Sequence, residues 1–127
     1  MKKMYGLKDF LPNKNAGYSK KFNQNSNIKI NKEEVINCIK TVFDPEIPVN
    51  LYDLGLIYSI KINENNVIID MTLTNPNCPV AGEIPRNVGL SVEKLKYLKS
   101  IEVNLVWTPK WNKEMMSEDA KLALDFF

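Results

Sequence analysis

This sequence of 127 residues contains no histidine, and several kinds of catalytic and metal-binding site require one. Its absence excludes a Ser–His–Asp triad, a His-ligated zinc site and a histidine proton shuttle. Cysteine is nearly as scarce. Cys38 and Cys78 lie 40 positions apart, so they indicate neither a disulfide framework nor a zinc pair, and their number fits a reducing, cytoplasmic compartment.

Long apolar runs are missing too. No stretch approaches the roughly 20 residues that a membrane-spanning helix needs, and Met1 to Lys8 turns polar too soon for a secretory signal. The 17 basic and 15 acidic side chains leave a net charge of only +2, which gives no indication of binding to nucleic acid or to a membrane surface. We therefore expect a soluble chain, and its length has room for one domain.

The N-terminal part of the chain differs from the rest in composition. Residues 1–27 are rich in Asn, Lys and Ser and show no apolar period, so we predict a mobile tail there and a folded domain over residues 28–127. The tail has no arginine, which disfavours a cleaved targeting peptide.

Helix and strand signals follow in a clear order. Asn31 and Glu34 have the spacing of a capping box, and the helix that they begin must end by Asp44, because Pro45 follows. Strands are predicted over Leu56–Ile62 and Val67–Thr74, joined by a hairpin turn at 63–66. Gly55 is placed to turn the chain just before the first strand.

The second half of the domain also carries helix and strand signals. After the turn NPNCP a helix runs to about Leu98, either starting near Pro85 or kinked there. A strand over Ile101–Trp107 and a short helix capped by Ser117 complete the chain. The order helix-strand-strand-helix-strand-helix predicts a single small α+β domain with helices packed on a three-stranded sheet.

Cys78 is the residue best placed for chemistry. Pro79 suits the first position of a helix, which would make Cys78 its N-cap, where free amides and the helix dipole lower the pKa of a thiol. The alternative is a half-buried cysteine that only fills the turn. Cys38, one residue before Ile39 in the first helix, is interpreted as a small apolar filler.

Two other segments carry polar or aromatic groups of interest. Asp44 and Glu46 flank a proline, with Asp53 further along the loop, and such carboxylates bind a metal, act as general acid or base, or cap turns. The segment WTPKWNKEMMSEDAK is interpreted as a lid over the core. Alternatively, Trp111, Met115 and Met116 form an adaptable surface for a partner.

Three blocks of sequence resemble one known family. DPEIPVNLYDLGLIY (44–58), MTLTNPNCPVAGEIP (71–85) and VWTPKWNKEMMSEDAKLAL (106–124) are similar to the signature blocks of the SufT and PaaD-like family of small iron–sulfur cluster assembly domains, and most closely to its SufT branch. The resemblance covers about residues 31–125. Asn77 stands where the family usually has glycine, and Thr108-Pro109-Lys110 stands where paired prolines are common.

The resemblance implies an auxiliary role in iron–sulfur cluster assembly or delivery rather than a conventional enzyme activity. It implies a reactive cysteine at Cys78, the family's acidic pair at Asp44 and Glu46, and its threonine at Thr74. Cys78, Asp44 and Glu46 are then the candidate metal ligands. No tightly bound cofactor is implied, only a transient iron–sulfur cluster, and the partners are scaffold or carrier proteins and apo-client proteins. Whether the chain forms a homodimer stays open.

Other functions remain open at this point. Cys78 can accept persulfide sulfur, bind one corner of a labile cluster or form a transient mixed disulfide. A different class of function is an adaptor that recruits clients through its Trp and Met residues, with Cys78 structural. A third is an assembly factor for one multicomponent oxygenase. We expect Asp44 and Glu46 to lie near Cys78, because the resemblance favours a shared edge of the sheet.

Overall fold

The computed structural model describes residues 16–22, 28–44, 47–74 and 83–124. In chain order the elements are β1 (Ala16–Lys21), α1 (Lys32–Ile39), β2 (Ile57–Asn63), β3 (Asn66–Met71), α2 (Glu83–Val92), β4 (Ser100–Leu105), a 3-10 turn (Lys113–Met115) and α3 (Glu118–Leu124). The predicted α+β class is confirmed. Within these ranges, no helix has the length and apolar character to cross a membrane.

The sheet has four strands in the order β1-β4-β3-β2. β3 and β4 are parallel, whereas β2 pairs antiparallel with β3 and β1 pairs antiparallel with β4. The three predicted strands are present, each within about two residues of the expected start. The prediction of a three-stranded sheet is wrong because β1 adds a fourth strand at one edge.

The prediction of a mobile tail over residues 1–27 is therefore wrong for residues 16–22. β1 pairs with β4 from Ala16 opposite Asn104 to Lys21 opposite Ser100. Tyr18 packs its ring against Gly89 of α2 and donates its hydroxyl hydrogen to Glu93. Burial and the Glu93 carboxylate raise the pKa of Tyr18 to about 12. The rest of the predicted tail lies outside the described residues.

Local signals at the start of the domain are confirmed. The Asn31 side chain accepts from the Glu34 amide at 2.9 Å, and the Glu34 side chain accepts from the Asn31 amide at 3.0 Å, which completes the capping box. Glu64 and Asn65 have φ values of 50° and 67°, as a tight hairpin turn requires. Gly55 has φ 81°, a conformation that glycine adopts without strain.

α1 ends at Ile39, before the limit expected at Asp44. The second predicted helix is too long. α2 ends at Val92 rather than Leu98, because Leu95 and Leu98 return to the core through short turns closed by the carbonyl groups of Val92 and Leu95. Pro85 lies in the first turn of α2, where proline removes no helical hydrogen bond. The apolar spacing therefore continues beyond the end of the helix.

The core lies between one face of the sheet and the helices. Alternate residues of β3 and β4 point into it, while Asp70 and Asn104 face the other side, where the Asn104 side chain donates to the Asp70 carboxylate at 3.2 Å. Helices α1 and α2 supply the opposing side chains. The most buried core residues from these four elements are Val35, Ile39, Val67, Ile69, Met71, Val88, Val92, Ile101 and Val103.

Replacing Gly89 by alanine tests whether β1 packs on α2. A Cβ atom at this position would overlap the Tyr18 ring, and the ring cannot move aside without losing its hydrogen bond to Glu93. We expect Gly89→Ala to lower the free energy of unfolding by about 1–3 kcal/mol, the usual cost of overpacking. Chemical denaturation followed by circular dichroism measures the change.

If the N-terminal segment were mobile, Gly89→Ala would instead raise the free energy of unfolding, because alanine in a helix interior is favoured over glycine by about 1 kcal/mol. Tyr18→Ala is the matched control, and in that background Gly89→Ala should no longer destabilise the domain. A stabilising effect of Gly89→Ala in the otherwise unchanged chain would contradict the packing of β1.

Candidate functional site

Three connecting segments leave the sheet at the same edge. β2 begins at Ile57 opposite Met71, where β3 ends, and the parallel strand β4 ends at Leu105, also opposite Met71. The acidic loop (residues 44–56), the segment 72–82 and the Trp–Met loop (residues 106–117) therefore start or end side by side. Crevices at the carboxyl ends of parallel strands are common ligand sites in sheet proteins.

Backbone hydrogen bonds join these segments just beyond the strands. The Thr72 amide donates to the Leu56 carbonyl at 2.8 Å, and the Val106 amide donates to the Met71 carbonyl at 2.8 Å. Thr72 is buried and Thr74 is half-buried. The chain therefore enters the cysteine turn (residues 74–79) from a fixed point at this edge, with Cys78 four residues after Thr74.

Part of the predicted site lies outside the described residues. Cys78 and Glu46 are in this group, so the expected N-cap at Cys78 and the expected proximity of Glu46 stay predictions. The structure places Asp44 at the start of the acidic loop and Thr74 at the start of the cysteine turn. The end of the acidic loop at Leu56 lies beside Thr72 at this sheet edge, and the expected proximity of Asp44 to Cys78 stays a prediction.

Asp44 and Asp53 both have structural roles in the acidic loop. The Asp44 carboxylate accepts from the Ile47 amide at 3.1 Å. The Asp53 carboxylate accepts from the Asn50 side chain at 2.8 Å, and the Asp53 amide donates to the Asn50 side-chain oxygen at 2.9 Å. Capping of turns, the simplest of the predicted roles for these carboxylates, is confirmed for Asp44. This hydrogen bond also holds its carboxylate in one orientation.

The Trp–Met loop is a lid, as the first of the two interpretations held. The Trp111 indole donates to the Leu54 carbonyl at 2.7 Å, and Met116 is only 7% exposed. Gly55 lies so close to the Met115 carbonyl that a Cβ atom would overlap it. Of the predicted partner surface, Met116 is buried and is not available to a partner, whereas Trp111 and Met115 are half-buried. The exposed aromatic residue of the loop is Trp107, at 42%.

A small pocket lies where the lid meets the end of β3. It has a volume of about 200 Å³ and is lined by Thr72, Leu73, Thr74, Trp107, Lys110 and Trp111. The sequence pattern singled out Thr74 and Trp111 but not Lys110. Lys110 and Thr74 are 36 positions apart, and only the parallel pairing of β3 with β4 brings their segments together.

Cys38 has the environment predicted for a filler. It is half-buried in α1 beside the core, and burial raises the pKa of its thiol, with a further rise from Glu34 that Lys94 opposes. Across the described ranges, no group of three or more Cys, His, Asp or Glu side chains is placed to hold a metal ion.

Comparison with known proteins agrees with the resemblance. A family model described as iron–sulfur cluster assembly protein matches residues 32–105, which is more than half of the chain. The chain belongs to the iron–sulfur cluster assembly protein family. β1 lies before the matched residues, so the fourth strand of this sheet is outside the part that the family model matches.

Named relatives and a solved structure support the same assignment. The chain is 48% identical over 96 residues to an Fe-S protein maturation auxiliary factor of Porphyromonas gingivalis, covering 75% of this chain and 91% of that protein. It is 39% identical over 84 residues to the Fe-S protein maturation auxiliary factor SufT of Staphylococcus aureus, covering 65% and 96%. The crystal structure of a domain of unknown function, DUF59, from Bacillus anthracis matches with a TM-score of 0.72 and 38% identity, covering 76% and 92%.

Alkylation rates compare the two cysteines directly. Because burial raises the pKa of Cys38, less of its thiol is ionised at a given pH, and we expect iodoacetamide to label it slowly near neutral pH and faster as the pH rises. Cys78 is expected to react first, and at lower pH. Mass-spectrometric mapping of alkylation against pH measures both rates. Equal rates, or faster labelling of Cys38, would count against an activated Cys78.

Proposed function

We propose that this protein is an auxiliary factor that helps to assemble iron–sulfur clusters or to deliver them to apo-proteins, with Cys78 as its reactive group. The observation that supports the proposal is that the end of the acidic loop, the segment 72–74 that leads to Cys78, and the start of the Trp–Met loop meet at one sheet edge. The names of the P. gingivalis and S. aureus relatives, both maturation auxiliary factors, support the same role.

Cys78 acts in this proposal as one ligand of a cluster in transit. Its thiolate binds one iron, and the scaffold, carrier or client protein supplies the remaining ligands. The described residues favour a shared cluster over a resident one, because the other cysteine of the chain is half-buried in α1 and its pKa is raised. The cluster is therefore cargo, and the protein has no tightly bound cofactor of its own.

Asp44, Glu46 and Thr74 support the thiolate at the same edge. A carboxylate beside a thiol raises the pKa of that thiol, so Asp44 and Glu46 are better suited to bind iron or to accept the thiol proton than to activate it. The Ile47 amide already orients Asp44. Thr74 lines the pocket at the start of the cysteine turn and contributes a hydroxyl there.

The main alternative is an adaptor in which Cys78 is structural. Its basis in the Trp–Met loop is narrower than the sequence suggested, because Met116 is buried and Trp111 is only half-exposed. An assembly factor for a single oxygenase is disfavoured by the names of the relatives, which refer to Fe-S protein maturation in general. We propose cytoplasmic partners of two kinds, scaffold or carrier proteins and apo-clients.

Substitution of Cys78 separates the two functions. A loaded scaffold protein and apo-aconitase are mixed under anaerobic conditions, and recovery of aconitase activity is followed with and without the chain. We expect Cys78→Ser to remove the stimulation by at least about tenfold, because serine is a poor ligand for iron in a cluster. Absorption spectroscopy and iron and sulfide analysis of the same mixtures show whether the chain holds cluster.

Cys38→Ser is the matched control, since it removes a thiol of the same chain that lies in α1. It should stimulate as the unchanged protein does. Full stimulation by Cys78→Ser would show that the thiol is not needed and would favour the adaptor.

A further inference from the structure

The pocket beside the cysteine turn is a candidate docking site in its own right. We call it the anchor pocket, and it consists of Thr72, Leu73, Thr74, Trp107, Lys110 and Trp111. Its floor is apolar, since Leu73 is only 4% exposed, and Trp107 forms an exposed aromatic rim. The preceding mechanism uses only Thr74 from this set.

The size of the anchor pocket limits what it can hold. Pockets for whole small-molecule ligands usually measure about 300–1,000 Å³, and this one measures about 200 Å³. An engineered apolar cavity of about 150 Å³ holds benzene. The anchor pocket therefore has room for one aromatic or branched aliphatic side chain, but not for a complete organic cofactor.

The pocket is formed in advance of binding. Trp111 is held by its hydrogen bond to Leu54 at 2.7 Å, and the Thr72 and Val106 amides fix the two strand ends that carry the other lining residues. A rigid pocket does not lose conformational entropy when a side chain enters it. Tryptophan is also among the residues that contribute most to binding energy at protein interfaces. The preformed shape of the pocket and its tryptophan lining both favour specific docking of a protein side chain.

The charge on the pocket lining indicates which kind of residue lies beside the inserted side chain. Among the described residues that line the pocket, Lys110 is the one that carries a charge, and it is exposed. A carboxylate next to the inserted side chain would lie within reach of the Lys110 ammonium, whereas a basic neighbour would be repelled. The complementary ligand is thus an apolar side chain with an acidic residue beside it.

We propose that the anchor pocket receives such an acidic–apolar pair from the partner protein that exchanges a cluster with this chain. The identity of the partner rests on the proposed function, whereas binding of the acidic–apolar pair to the pocket does not. Docking at this position would bring the partner to the sheet edge where the cysteine turn begins. The ligands that a shared cluster requires would then come from the docked protein.

Intrinsic fluorescence reports directly on this pocket, because the two tryptophans of the chain, Trp107 and Trp111, both line it. The probe is a capped hexapeptide with the central pair Asp-Phe, compared with peptides that carry Lys-Phe or Asp-Ser. We expect the Asp-Phe peptide to change tryptophan emission saturably at concentrations up to a few millimolar, the range of a single-anchor contact. The other two peptides should bind about tenfold more weakly.

Variants on the exposed surface provide matched controls. Lys110→Glu should weaken binding of the Asp-Phe peptide about tenfold and improve binding of the Lys-Phe peptide. Lys113→Glu makes the same charge change at an exposed residue outside the pocket and should leave affinity within about twofold. Cys78→Ser should bind the peptide as the unchanged chain does, which separates this inference from the proposed function.

Three outcomes would overturn the proposal. One is the absence of any saturable change with the Asp-Phe peptide, and another is equal binding of the Asp-Phe and Asp-Ser peptides. The third is tryptophan emission that depends on protein concentration without peptide, together with a dimer in sedimentation velocity, since a second copy would then occupy the pocket.

Discussion

Six residue pairs join β3 to β4 in the parallel direction, from Asn66 opposite Ser100 to Met71 opposite Leu105. Parallel strands cannot be joined by a tight turn, so the chain must cross over the sheet between them. Residues 72–99 make that crossing, and they contain the cysteine turn and α2. The same pairing places the start of the Trp–Met loop beside the end of β3. The site at this edge therefore depends on the direction of one strand pair.

The acidic loop reaches the same edge for a different reason. β2 pairs antiparallel with β3, so its start lies beside the end of β3. Contacts between loops then lock the arrangement: the Ser117 amide donates to the Asp53 carbonyl at 2.8 Å, and Trp111 donates to Leu54. Because both bonds end on backbone carbonyls, they depend on the path of the acidic loop rather than on its side chains. These two hydrogen bonds thus tie the acidic loop to the lid at Asp53 and Leu54.

Sequence reasoning succeeded where the deciding contact is local. The capping box of Asn31 and Glu34, the hairpin turn and the turn at Gly55 each depend on residues within a few positions of one another. β1 was missed because it is an edge strand with lysines facing water, and its main packing contact, Tyr18 against Gly89, spans 71 positions. Lys110 was missed for the same reason, since its place in the pocket requires the parallel pairing. The role proposed for this edge rests on the family blocks, because the local pattern alone did not select it.

Paramagnetic broadening tests most directly whether the cysteine turn shares its edge with both loops. A nitroxide is attached at Cys78 in a Cys38→Ser background, and amide signals are compared before and after reduction of the label. β3 has six residues and spans about 20 Å, so the two ends of the sheet are well separated. We expect strong broadening in the acidic loop, including Asp44, and at Trp107 and Lys110, with sharp signals at the hairpin turn 63–66. Broadening centred on the hairpin turn, or its absence from the acidic loop, would contradict the shared site.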